Sequence, residues 1–176
     1  MNDFKDLILK RESCRNYSEK SVDTALILQC VEAARLSPSA CNSQPWKYYI
    51  VNDEENAKKV RQCVQPDGAN KFTDKCPAFA IVTEQTATLK PHVAARVHSQ
   101  KWAENDIGLS VAHYCLQAAD LGLGTCIIGM VEEEKLKEYF GIKDKIRLVV
   151  ATGYSADESP RNKVRKPLEE VCEVIE

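Results

Sequence analysis

The chain has 176 residues and a mass of 19.7 kDa, the length of one domain, which on folding buries about 70% of its extended-chain surface in a single core. A hydrophobic fraction of 44%, a charged fraction of 28% and only seven Gly and seven Pro exclude disordered, collagen-like and low-complexity classes. With 24 Lys and Arg against 26 Asp and Glu the formal charge is -2, so no bulk positive field exists to hold a polyanion, and nucleic acid is not an expected partner.

In chain order, Asp3 to Lys10 reads as a short helix whose charges interrupt the apolar run an export signal needs. A longer helix over Asp23 to Leu36 carries Gln29, Glu32 and Arg35 at three-residue spacing, with Ser21 or Asp23 as its cap. It stops near Ser37-Pro38, because the residue before proline is pushed away from helical dihedrals, and Ser39 to Pro45 is loop. Trp46 to Val51 reads as a strand, Asp53 to Val64 as a charged surface helix and Pro77 to Thr83 as a buried strand. Glu104 to Leu121 is so apolar, with Asp106, Ser110, His113, Gln117 and Asp120 on one narrow stripe, that a helix buried nearly all round is expected, in the core or at a subunit interface. Leu123 to Ile128 is the next strand, Glu132 to Phe140 a helix and Lys145 to Tyr154 a strand, before a tail from Ser159 that is basic and then amphipathic. No repeat or linker divides the chain, so residues 1–176 are expected to form a single α/β or α+β domain. No apolar run approaches the roughly 20 residues that span a bilayer, and a cytoplasmic protein with no membrane partner is the expectation.

Eight cysteines are scattered without a C-x-x-C pair, which leaves neither zinc spacing nor a disulfide framework. Reduced, mostly buried thiols are expected, with Cys14 and Cys41 the two positions where a reactive thiol is conceivable. Gly122 and Gly124 follow a helix and precede a strand, the reverse of a dinucleotide fingerprint, so Gly122 reads as a left-handed helix cap. Gly129 instead follows a strand and precedes a helix, where a missing side chain lets a ligand approach backbone amides. His92, His98 and His113 have no metal spacing; His113 reads as a hydrogen-bonded structural residue and His98 as one that could face a substrate. Two compact basic clusters, Lys10-Arg11-Glu12-Ser13-Cys14-Arg15 and Arg161-Asn162-Lys163-Val164-Arg165-Lys166, are each ordinary surface taken singly but together could grip one phosphate.

Arg11-Glu12-Ser13-Cys14-Arg15-Asn16-Tyr17 resembles the R-R-S-x-R-x-[FY] opening of the FMN-dependent nitroreductase family, and Ser37 to Trp46 its P-S-x-x-N-x-Q-P-W loop. Ala118 to Gly129 resembles the family's A-A-x-x-L-G-L-G-T-x-x-I-G, and Gly153-Tyr154 with Lys163 to Leu168 its closing segment, so four motifs in the family's order span nearly the whole chain. The resemblance implies a homodimeric α+β fold: a central mixed or antiparallel sheet flanked by helices, with a long buried central helix and one FMN at each subunit interface. By position, Arg11, Ser13, Lys163 and Arg165 are expected on the FMN phosphate and ribityl end, and Arg15 nearer the pyrimidine edge. Glu12 stands among them where the family has a basic or neutral residue. Pro38, Ser39, Ala40 and Asn42 are expected from the partner subunit, Ile128 and Gly129 beside the reactive N5, and Asn70 or Lys71 near the pyrimidine. The implied activity is transfer of electrons from NADH or NADPH through FMN, by a ping-pong cycle, to nitroaromatics, quinones or similar planar acceptors. The flavin carries the chemistry, so no catalytic acid, base or metal is expected from the protein. The alternatives are a same-fold flavoenzyme using reduced FMN for dehalogenation or flavin fragmentation, and a non-catalytic FMN-binding dimer.

Overall fold

The computed structural model describes residues 3–96 and 99–175; His98 lies outside them. In chain order the elements are α1 (Phe4–Lys10), α2 (Thr24–Arg35), β1 (Trp46–Val51), α3 (Glu54–Val64), β2 (Ala78–Glu84), α4 (Pro91–Ala94), α5 (Ser99–Asp120), β3 (Gly124–Ile128), α6 (Glu133–Phe140) and β4 (Lys145–Gly153). Local chemistry accounts for their ends. Asp23 caps α2 by accepting from the amide of Ala25 at 2.9 Å, and Asp53 caps α3 by accepting from Asn56 at 2.9 Å. Gly122 adopts φ 79° and closes the end of α5, with the amide of Leu123 donating to the carbonyl of Ala118 at 2.8 Å.

The strands form one sheet in the order β1-β2-β4-β3, and every pairing is antiparallel. β2 and β4 are central, and all seven residues of β2 are buried. Because side chains alternate across a strand, Ala78, Ala80, Val82 and Val150 join Ile27, Cys30, Val111 and Tyr114 of α2 and α5 in one core. Phe79, Ile81, Val149 and Ala151 join Val60, Val64 and Leu136 of α3 and α6 in the other. The result is an α+β architecture with a helical layer on each face. A register shift at Val82/Thr83 leaves Arg147 as the extra residue on β4, and its guanidinium pairs with Glu84 and, at 2.9 Å, with Glu104 of α5.

The central helix departs from expectation in two ways. It begins at Ser99, five residues before the expected Glu104, and within one chain it is not buried all round. Ala103, Asp106, Ile107, Ser110, Val111, Tyr114, Cys115 and Ala118 face the sheet and α2, whereas Trp102 and Leu109 are 43% and 46% exposed, with Gly108, Ala112 and His113 beside them. The expected polar stripe is thus split: Asp106 and Ser110 are buried, His113 and Asp120 are not.

Two glycines allow the N-terminal segment to lie against the sheet. A Cβ at Gly124 would stand 2.8 Å from Cys14 Cβ, and one at Gly153 would stand 2.8 Å from Pro77 Cδ and 2.9 Å from Tyr17 Cδ1. Neither set of ring atoms around Gly153 is the loose end of a side chain. Gly153→Ala is therefore expected to lower stability by about 1–3 kcal/mol through overpacking, read as a lower urea midpoint with an unchanged slope; an unaltered midpoint would contradict the packing described.

Candidate functional site

Residues 13–18 run along the free edge of β3 and back past the end of β4. The amide of Cys14 donates to Thr125 O at 2.8 Å, Ser18 N to Tyr154 O at 2.9 Å and Ala156 N to Asn16 O at 2.9 Å. Asn16 Nδ2 reaches Asp157 at 2.7 Å, and the buried Tyr17 hydroxyl donates to Ala151 O at 3.2 Å. This zipper fixes where Arg11, Ser13 and Arg15 stand.

The tail then folds back over the same segment. Arg161 pairs through Nε with Glu12 at 3.1 Å and donates to Ser13 O at 2.5 Å, while Lys163 Nζ donates to Arg11 O at 2.6 Å. Residues about 150 positions apart thereby line one groove of roughly 370 Å³, formed by Arg11, Glu12, Ser13, Arg15 and Arg161 to Arg165. Five cationic side chains share it with one carboxylate, and that carboxylate is engaged by Arg161. The Lys163 ammonium is pushed below its ordinary pKa, first by desolvation and then by the charge of Arg11, with smaller pushes from Arg165 and Arg161, against an opposing pull from Glu12. Like charges crowded in this way are relieved by a bound anion, so the groove fits a phosphate group.

The strand on which Ser13 is bridged to Thr125 ends at Ile128, and Gly129 follows it, about 13 Å further along at 3.3 Å per residue. Gly129 is exposed, and Leu148 is its nearest neighbour from another element. Groove and glycine therefore lie along one sheet edge. Pro38, Ser39, Ala40 and Asn42 do not join them within the chain. The amide of Ala40 donates to Asp106 near the start of α5 at 3.0 Å, whereas the groove adjoins Ala119 and Gly122 through the neighbouring cavity at the end of α5. That separates the two sets by about 20 Å of helix. The loop is held in an unusual shape: Cys41, Asn42 and Gln44 have φ of 54°, 55° and 47°, each costing about 1 kcal/mol or more where the residue is not glycine. Asn70 also adopts positive φ, at 51°, but its side-chain amide donates to Val64 O at 2.8 Å and so closes the end of α3; Lys71 is exposed beside it.

Sequence reasoning alone did not single out Arg161, Asp106 and Gly124. Arg161 was visible as part of a basic run, and Asp106 as a carboxylate in a helix otherwise too apolar to hold one; nothing local marks Gly124 as the point of closest backbone approach. The thiols divide sharply. Cys14 is 2% exposed and burial raises its pKa, as it does for Cys30 and Cys76, pushed up to about 12, and Cys63, pushed up to about 11. Cys14 is thus held as a neutral thiol, while Cys41 and Cys172 are exposed. His113 is exposed, with Nδ1 2.9 Å from Leu109 O. Among the described residues no cluster of three or more His, Cys, Asp and Glu could hold a metal ion, and no helix is long and apolar enough to cross a membrane.

A family model described as the nitroreductase family matches residues 8–154. A protein of Archaeoglobus fulgidus whose name gives NADH dehydrogenase/NAD(P)H nitroreductase is 27% identical, over 90% of this chain and 88% of its own length. An iodotyrosine deiodinase of Nematostella vectensis is 22% identical, over 96% of this chain and 74% of its own length. The fold is that of a nitroreductase structure from Exiguobacterium sibiricum determined in complex with FMN, at a TM-score of 0.85 and 21% identity, over 99% of this chain and 98% of that one. The chain belongs to the nitroreductase family, and it is an oxidoreductase.

The burial pattern sets an expectation for thiol chemistry. Iodoacetamide under native conditions is expected to add to no more than two thiols, Cys41 and Cys172, with the other six reacting only after denaturation. Peptide mapping of a timed reaction checks this; modification of Cys14 ahead of global unfolding would contradict its placement.

Proposed function

We propose that this member of the nitroreductase family is a cytoplasmic NAD(P)H oxidoreductase that binds one FMN per subunit and reduces nitroaromatics, quinones or similar planar acceptors by a ping-pong cycle. The observation that carries the reading is the convergence of Arg11, Ser13 and Arg15 with Lys163 and Arg165, from opposite ends of the chain, on one groove. When bound, FMN accepts a hydride from the nicotinamide and passes electrons to the acceptor.

The chain's own residues would supply position and electrostatics. Arg11, Lys163 and Arg165 would pair with the phosphate dianion, Ser13 would add a hydroxyl donor, and Arg15 would set positive charge beside the pyrimidine edge, favouring the reduced anionic ring. Along the same sheet edge, the backbone at Gly129 would donate toward N5, where no side chain obstructs the approach. Glu12 would be kept from repelling the phosphate by its pairing with Arg161. Asn70 would act by holding Lys71 and its own backbone near the ring rather than through its side-chain amide, which is already committed to Val64.

The second copy follows from the same reading. The exposed apolar strip of α5 at Trp102 and Leu109 is what a partner would cover, and the partner would bring Pro38, Ser39, Ala40 and Asn42 to the groove that the chain's own loop does not reach. A second activity on the same cofactor, reductive dehalogenation, is favoured by the likeness to iodotyrosine deiodinases. Release of halide from an iodinated phenol, measured beside nitro and quinone reduction, separates the two.

The purified protein is expected to be yellow, to release FMN rather than FAD on denaturation, and to be bleached anaerobically by NADH or NADPH. Arg165→Ala is expected to weaken FMN roughly thirtyfold, equivalent to about 2 kcal/mol, with turnover restored by excess FMN because the residue anchors the cofactor and moves no electrons. Fluorescence titration of apoprotein checks this, and equal affinities would return the tail cluster to ordinary surface. Leu109→Lys is expected to convert a dimer in sedimentation into a monomer that has lost tight FMN binding; a monomeric wild type that retains FMN would overturn the shared site.

A further inference from the structure

The geometry points to Asp106 as a positioning residue that clamps the loop from Pro38 to Gln44 in the shape it presents to FMN. This rests on the flavin reading above, with the loop serving the groove of the partner copy. Asp106 is 4% exposed in the first half of α5, and its Oδ2 accepts from the amide of Ala40 at 3.0 Å. Four residues on, and so on the same face, Ser110 Oγ donates to Ala34 O at 3.1 Å. α5 thus grips the last turn of α2 and the loop after it at two successive points.

The loop needs a grip. Cys41, Asn42 and Gln44 all sit in the left-handed region, which residues other than glycine adopt rarely. The bonds from Gln44 N to Ser39 Oγ, and from Gln44 Nε2 to Asn42, close the loop on itself without tying it to a layer of the fold. The Asp106 carboxylate ties its first turn to the helix. Ser43 Oγ, buried in the same loop, has no hydrogen-bond partner among the described residues. Asp is also a poor choice for the interior of a buried helix on propensity and solvation grounds, so its place in α5 is accounted for by what it holds.

The test compares FMN affinity with apoprotein stability. Asp106→Ala is expected to weaken FMN about tenfold, while Asp106→Asn, whose amide oxygen still accepts from Ala40, stays within about threefold of wild type. Ala40→Pro removes the donor from the other side. Ser39 already has the extended dihedrals that precede proline, φ -148° and ψ 154°, and Ala40 is the first residue of its turn, where proline is tolerated. It is expected to reproduce the Asp106→Ala loss, and the double variant to lose no more than either alone, because both remove one contact. Mixing Asp106→Ala chains with Arg165→Ala chains is expected to yield dimers in which half the sites bind FMN as wild type does, since one site then receives an intact groove and an intact loop.

Wild-type affinity in Asp106→Ala and Ala40→Pro, or losses that add in the double variant, would overturn the clamp. A mixed dimer with no wild-type site, one site weakened about tenfold and the other about thirtyfold, would overturn its action across the interface. Wild-type affinity in Arg165→Ala would instead overturn the flavin reading itself. If Asp106→Ala does not fold, Ala40→Pro, alone and in mixed dimers with Arg165→Ala, decides the same outcomes.

Discussion

The bond from the Cys14 amide to Thr125 O, with Gly124 bare beneath it, is the contact on which the candidate site depends. β3 is an edge strand, and an edge strand has unpaired backbone groups that some other segment must satisfy. Here that segment is the chain's own N-terminal stretch, which pairs for a single bridge and then turns away toward Ser155. Arg11, Ser13 and Arg15 stand at alternate positions and so share one side of this extended stretch, where the tail closes over them.

The second organising feature is α5, whose otherwise apolar buried face holds two polar residues and whose exposed face holds two large apolar ones. A water-facing amphipathic helix shows its polar residues outward and hides its apolar ones. This helix buries Asp106 and Ser110 while exposing Trp102 and Leu109. The buried pair is satisfied by hydrogen bonds to Ala40 N and Ala34 O, so the polar groups act as fasteners for α2 rather than as solvated surface. The exposed apolar strip has no such account within one chain. Both features fit a helix that lies between a fixed internal neighbour and, as proposed above, a second copy.

Much of this was legible in the sequence, and the parts that were not share a cause. β1 was readable to the residue, and the ends of α2, α3, α6 and β4 to within one, because caps, proline and alternation are local signals. Gly122 was readable as a helix cap because a glycine between an apolar helix and a strand has few other uses. The start of α5 was not, since Ser99 to Ala103 lacks the apolar periodicity that marks its middle. Nor was the exposure of one face: composition shows that a helix is apolar, not which of its faces the rest of the chain covers. For the site, two basic clusters could be seen as candidates for one phosphate, but their pairing through Arg161, Glu12 and Ser13 depends on contacts across about 150 residues that no local pattern encodes.

That long-range closure also explains how a chain of net charge -2 can hold a strongly cationic groove. The cations lie in two clusters about 150 residues apart, which the unfolded chain keeps separate in solvent. Folding brings the clusters together, and the pKa of Lys163 is lowered first by desolvation and then by the charge of Arg11. The native state therefore carries an electrostatic penalty in the groove that a dianion removes and that the unfolded chain does not share. Binding and folding are coupled for that reason: a phosphate-bearing ligand adds its own affinity and relieves strain that the apoprotein bears. An anion bound there would bridge residues 11–15 and 161–165, two segments that the bonds of Arg161 to Ser13 O and Lys163 to Arg11 O already join.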